Sequence, residues 1–275
     1  MNIRQFIKEE LKKSNVEPQE INAETNFILR NFLNIKNLYE EISCTQEQIQ
    51  KLKEIFSKRK TGMPIQYILN TADFMGEKFF VNENVLIPRA ETEILVLKTI
   101  EIAQKIKSPK ILDIGSGSGC IAIILSKKLP DARIFSCDIS QKALQIAKNN
   151  AKNLVAKVYF IQSDLFKNIN EKFDIIVSNP PYIPYKLKSS IQKEVQFEPE
   201  QALYTSDENG IEFYEKIIKT ASNYLTNNGN IIFELGIGQS ILVKNLFVDY
   251  NYTEIEITKD LDNIERIISA KVKNG

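Results

Sequence analysis

From Lys110 onward, short apolar runs alternate with helix-patterned stretches: KILDIG, CIAIILSKKL, ARIFSCDIS, QKALQIAKNNA, KVYFIQSD and FDIIVSN. Runs such as KILDI and FDIIV are apolar at consecutive positions and need cover on both faces, and the stretches between them are long enough to cross from strand to strand. The alternation predicts an α/β fold, a mostly parallel sheet with helices on both sides. A helix from about Glu91 to Ile106 precedes the first strand in this reading. Downstream come a helix near Gly210 to Leu225, the strand NIIFELG and a helix near Gln239 to Val248. TEIEIT and RIISAKV close the chain too near each other for a helical crossover, so they should form an antiparallel hairpin at the sheet edge.

The first sixty residues have a different rhythm. Ile3, Phe6, Ile7 and Leu11 recur at helical spacing, as do Ile49, Leu52, Ile55 and Phe56 behind the N-cap candidate Thr45; Pro18 to Leu33 reads as a third helix. From Ala72 to Pro88, short runs broken by Gly76 suit a β-hairpin. The expected organisation is a helical bundle over residues 1–70, a β-hairpin linker over 71–90 and the sheet domain over 91–275.

What the chain lacks narrows its chemistry. It contains no histidine, which removes a Ser-His-Asp triad, a Cys-His pair and any His-ligated metal; no metal site is expected. With 36 basic and 35 acidic residues, a net charge of +1 lacks the positive excess of proteins held on duplex phosphates and argues against direct nucleic-acid binding. The N-terminus lacks the apolar core of a secretory signal and no segment is long and apolar enough to cross a bilayer. Cys44, Cys120 and Cys137 show no metal or disulfide spacing, which fits a reducing cytoplasm, and the last two sit in apolar patterns that suit core packing.

Strand KILDI runs into Gly115-Ser116-Gly117-Ser118-Gly119 and a helix. That places a glycine loop at the carboxyl edge of the sheet, where such folds bind ligands. The spacing is neither the G-x-G-x-x-G of a dinucleotide site nor a P-loop, and Asp113 would stand beside any pyrophosphate. An adenosyl ligand without phosphates, bearing a sulfonium and an amino group, suits the loop better. Asp138 ends the next strand, where a carboxylate accepts from both ribose hydroxyls. Asp164 and Leu165 follow along the same edge, in reach of an adenine ring.

The fourth strand stops on Ser178-Asn179-Pro180-Pro181-Tyr182. Each proline fixes its own φ, removes an N–H and restrains its predecessor, giving a stiff loop. Its free acceptors are the Asn179 side-chain oxygen and backbone carbonyls, that of Pro180 in particular, with Tyr182 expected as a flat wall. Two acceptors and a ring suit a planar –NH₂ group. Held in place, its delocalised nitrogen gains reactivity by positioning, and acceptors aimed at its hydrogens favour the positive charge that grows on it.

These motifs resemble the class I S-adenosylmethionine-dependent methyltransferases, with their Rossmann-like seven-stranded sheet, and more narrowly the HemK/PrmC family, which methylates the glutamine of the Gly-Gly-Gln loop in peptide chain release factors. The narrower resemblance rests on TGMPIQYIL, DFMGEKFFVNENVLIPRAETEILV, DIGSGSG, FDIIVSNPPYIP, FEPEQAL and FELGIGQ. It implies that Gly115, Ser116, Gly117, Ser118 and Gly119 embrace the methionine part of the cofactor, that Asp138 holds its ribose, that Leu165 lies by its adenine and that Asn179 stands beside it. Asn179, Pro180, Pro181 and Tyr182 then bind the substrate amide, with Asn179, Pro180 and Tyr182 as the catalytic set. Arg89 and Glu91 either border the cofactor mouth or form a salt-bridged linker. Two other readings stay open on the residues alone: an adenine-N6 DNA methyltransferase, which presents the same –NH₂ problem, and a catalytically silent adenosyl-binding scaffold. The near-zero charge and the segment VLIPRAETE favour a protein substrate.

Overall fold

The computed structural model of the chain describes residues 2–14, 16–37 and 43–273. Its N-terminal part is helical: α1 (Ile3–Lys12), α2 (Ile21–Asn31), α3 (Gln46–Arg59) and the short α4 (Ile65–Leu69). Thr45 and Gln48 cap α3 reciprocally, each side chain taking up a backbone N–H of the other. Ile7, Leu11, Ile28, Leu29, Leu52 and Phe56 close one core between these helices. Each such side chain, buried fully, contributes on the order of 1.5–3 kcal/mol.

The linker pairs β1 (Ala72–Phe74) with β2 (Glu77–Phe79) around Met75 and Gly76, both at positive φ. This hairpin is shorter than the sequence suggests. Beyond Phe79 the backbone hydrogen-bonds to a side chain, with Asn150 donating to the Phe80 carbonyl at 2.9 Å and accepting from its N–H at 2.9 Å.

The remaining elements are α5 (Ala90–Ala103), β3 (Lys110–Ile114), α6 (Cys120–Lys128), β4 (Arg133–Asp138), α7 (Gln141–Asn153), β5 (Val158–Gln162), β6 (Phe173–Ser178), β7 (Ile183–Pro184), β8 (Tyr204–Thr205), α8 (Glu212–Ala221), β9 (Leu225–Glu234), α9 (Ser240–Asp249), β10 (Tyr252–Lys259) and β11 (Glu265–Val272). Seven strands form one sheet in the order β10-β11-β9-β6-β3-β4-β5. The five strands from β9 to β5 are parallel, and β10–β11 is the expected antiparallel hairpin, joined through β11 to β9. Helix α8 ends earlier than its apolar pattern because Leu225 already pairs with Phe173 as the start of β9.

Alternate strand residues point to opposite faces. Leu112, Phe135, Ile176 and Phe233 pack with Tyr214, Ile217 and Phe247 of α8 and α9. Ile111, Ile134, Ile175 and Ile232 pack with Leu95 and Val96 of α5 and the apolar run of α6. Cys120 and Cys137 are buried in these two layers, as core packing requires, and burial pushes both thiols up, that of Cys120 to about 12.

Two acidic side chains tie the segment after β7 to the rest. Glu194 pairs with Arg59, whose buried guanidinium also binds Glu24 at 2.8 Å. Glu198 accepts from the Ile87 N–H at 3.0 Å and pairs with Arg89. The first joins this segment to the helical bundle, the second to the linker.

Candidate active site

A cavity of about 280 Å³ opens along the carboxyl edge of β3, β4 and β6. Its wall includes Gly115 to Ser118, Asp138, Ile139, Asp164 and Leu165, and on the other side Thr92, Asn179, Pro180 and Pro181. Linker residues 84–86, 88 and 89 complete the rim. Sequence-distant candidates therefore meet in one hollow, because parallel strands deliver all their carboxyl ends to the same side.

The glycine loop is held from beneath. Gly115 and Ser116 donate to the Cys137 carbonyl at 2.8 and 3.0 Å, and Gly117 donates to Asp138 Oδ2 at 2.9 Å. Asp138 Oδ1 accepts from the Ser140 N–H at 2.8 Å and the Ile139 N–H also bonds the carboxylate, so backbone donors fix its position at the end of β4. Gly117 has φ +52°, and a Cβ built there meets nothing within 4 Å. The loop is thus a bare backbone cradle at that point. Asn150 of α7 donates to the Ser118 carbonyl at 2.8 Å as well as to Phe80, fastening loop and linker with one amide. Leu165, itself at φ +50°, lines the cavity, as does Ile139.

Beneath the loop Asp113 is wholly buried. Ser136 donates to it at 2.7 Å and lies 2.6 Å from the Ser116 hydroxyl. Burial pushes the carboxyl up to about 7, with the Ser136 hydrogen bond opposing. An unfolded aspartic acid ionises near pH 4. Between about pH 4 and 7 the native state keeps a proton the unfolded chain has lost, so stability falls as pH rises through that window. Asp113→Asn should flatten this fall when urea unfolding at about pH 5 is compared with about pH 8. An unaltered slope would show that Asp113 does not titrate there.

The Asn-Pro-Pro-Tyr loop is pinned at three points. Ser178 Oγ donates to the Ile114 carbonyl at 2.6 Å, Gln239 Nε2 to the Tyr182 carbonyl at 2.9 Å, and Asn179 Nδ2 to Thr92 Oγ1 at 3.3 Å. Thr92 in turn donates to Glu234 Oε2 at 2.6 Å. Glu234 ends β9 and is 2% exposed; burial pushes it up to about 7, opposed by hydrogen bonds from Thr92 and Asn179. Among the described residues no donor reaches Asn179 Oδ1 or the Pro180 carbonyl.

One placement adds to the expectation. Tyr182 does not line the cavity itself: its half-buried ring lies near Gly236 and packs on the α8–β9 core around Tyr214. Arg89 satisfies both of its readings, lining the cavity while paired with Glu198; Glu91 pairs with Arg266 at 3.4 Å.

Thr92, Glu234, Gln239 and Asn150 received no role from the sequence. The available signal was weak: Glu234 is a carboxylate at the end of the apolar run NIIFE, and a buried carboxylate needs a partner.

Residues 91–206 match the Methyltransferase small domain family. The chain is 41% identical to the release factor glutamine methyltransferase of Flavobacterium psychrophilum, over 82% of this chain and 81% of that one. With the enzyme of the same name from Buchnera aphidicola it shares 38% identity over 98% of this chain and 99% of that one. In fold it is similar to a methyltransferase from Pyrococcus furiosus, with a TM-score of 0.55 at 14% identity, covering 84% of this chain and 100% of that one. Identity of this extent, over most of both chains, places the chain in the release factor glutamine methyltransferase family.

Proposed function

We propose that the protein methylates the side-chain amide nitrogen of the Gly-Gly-Gln glutamine in a peptide chain release factor, using S-adenosylmethionine. The observation that carries this reading is the orientation of Asn179. Its amide nitrogen is engaged by Thr92, while Oδ1 and the neighbouring Pro180 carbonyl remain as acceptors on a rigid loop beside the cavity.

The cavity's chemistry fits the cofactor. Asp138 presents a carboxylate, held in place by backbone donors, to a ribose diol, Ile139 and Leu165 offer apolar surfaces for a purine, and the bare Gly117 leaves room where a side chain would intrude. When bound, S-adenosylmethionine supplies an electrophilic methyl group. Asn179 Oδ1 and the Pro180 carbonyl would each accept one hydrogen of the glutamine –NH₂, fixing the nitrogen in line and favouring the positive charge it acquires. No strong base is needed, since the alkylated nitrogen is acidic enough to lose its proton to water. Tyr182 supports the loop from behind through its carbonyl and its packed ring.

The test uses labelled S-adenosylmethionine with a release factor, the same factor with its loop glutamine replaced by alanine, and adenine-containing DNA. Label is expected on the first substrate only. Label on DNA and not on the factor would move the assignment to an adenine methyltransferase; cofactor binding without any transfer would leave a scaffold.

A further inference from the structure

A side-chain amide has two ends of the same shape and opposite chemistry. Turned by 180°, Asn179 would present –NH₂ to the substrate's own –NH₂, donor against donor, and the site would reject its substrate. Something must fix which way this amide faces, and the prolines, which restrain only the backbone, cannot do so.

We propose that Thr92 and Glu234 are positioning residues that set the direction of the Asn179 amide. The inference rests on the acceptor role given to Asn179 above. Thr92 sits in the first turn of α5, is 3% exposed, and has a single hydroxyl proton. That proton goes to Glu234 Oε2 at 2.6 Å. The hydroxyl oxygen can then offer only lone pairs toward Asn179, and only the nitrogen end of the amide can use them, at 3.3 Å. Glu234 thus acts in two ways: by taking the hydroxyl proton it makes Thr92 a pure acceptor toward the loop, and its own carboxylate accepts from the Asn179 amide, which again only the nitrogen end can satisfy. The alternative, in which Thr92 donates to Asn179 Oδ1, would leave the buried Glu234 oxygen without its partner, which is costly at such depth.

The arrangement also explains why the first turn of α5 must reach the end of β6. The linker delivers Thr92 to the cavity wall directly after Arg89, which Glu198 holds. The two ends of the relay come from segments far apart in the chain and meet only through the sheet, where β6 lies beside β9 and α5 packs across both.

The test is a double-mutant cycle on the whole protein with release factor as substrate. Thr92→Val keeps the shape of the side chain and removes the hydroxyl. It is expected to lower kcat about tenfold, the value of one orienting hydrogen bond, with calorimetric affinity for S-adenosylmethionine within about twofold of the parent. Thr92→Ser restores the hydroxyl and should recover most of the loss. In an Asn179→Ala background, where there is no amide left to orient, Thr92→Val should cost nothing further in single-turnover rate. Glu234→Gln, which can satisfy Thr92 from either of its ends, should lower kcat severalfold and serves if Thr92→Val does not fold. The inference fails if Thr92→Val turns over at the parent rate, if Thr92→Ser is as slow as Thr92→Val, or if Thr92→Val costs the same factor with and without Asn179. If Asn179→Ala alone leaves turnover unchanged, the acceptor role itself fails and this inference with it.

Discussion

Asn179→Ala is expected to lower kcat for methyl transfer to a release factor by about 10²–10³-fold, while the affinity for S-adenosylmethionine stays within about twofold. The size follows from what is removed. A preorganised acceptor aimed at a growing charge acts mainly in the transition state, so its loss appears in kcat. The cofactor side should be spared, because Asp138, the glycine loop and Leu165 hold their places through bonds that do not pass through residue 179. Folding should survive as well: Asn179 bonds the network at Thr92, at 3.3 Å, and at Glu234, whereas Thr92 keeps its shorter bond to Glu234 in the variant. Calorimetry with the cofactor, run beside initial rates, separates the two effects. A variant that binds cofactor poorly and turns over normally once saturated would assign Asn179 to the cofactor and not to the amide.

The parts of this fold that were legible in the sequence are those governed by periodicity and by short-range turn chemistry. The strand–helix alternation gave the parallel sheet, the closeness of TEIEIT and RIISAKV gave the edge hairpin, and the five residues from Gly115 to Gly119 gave the loop at its carboxyl edge. Residues 185–203 were opaque because they carry short 3₁₀ turns and surface charges without a repeating apolar face. Their role comes from single long-range contacts, Glu194 to Arg59 and Glu198 to Arg89. The same limit hid the Thr92–Glu234 relay, whose members lie on different elements and become neighbours only through strand order. The packing of the Tyr182 ring was out of reach for a related reason: the core it rests on is built from α8 and β9, distant in the chain.

Gly210→Ala should be among the most damaging single substitutions outside the cavity, although nothing in its local sequence marks it. Gly210 has φ +73°, where a Cβ is strained, and that Cβ would lie 2.1 Å from the Tyr182 carbonyl oxygen and 2.4 Å from Gln239 Nε2. The first of these atoms is backbone and cannot swing aside. The second donates to the carbonyls of Tyr182, Asn209 and Gly210 at 2.9, 2.9 and 3.2 Å, so moving it breaks the junction that pins the Asn-Pro-Pro-Tyr loop. Gln239 Oε1 meanwhile accepts from the Gly236 N–H at 3.0 Å, which leaves the side chain little freedom to relax. Combined strain and overpacking predict a loss of about 3 kcal/mol or more in unfolding free energy. The surviving folded fraction should be catalytically slow as well, since a shift of about 1 Å in a positioning loop can cost about 10²-fold. Gly238 provides the control: it too has positive φ, +82°, but a Cβ there meets nothing within 4 Å. Gly238→Ala should therefore cost only about 1 kcal/mol from backbone strain and leave kcat near the parent value. Urea unfolding and kcat per folded molecule, measured on both variants, decide the matter: if Gly210→Ala proves as stable and as active as Gly238→Ala, the loop is not held by the Gln239 junction.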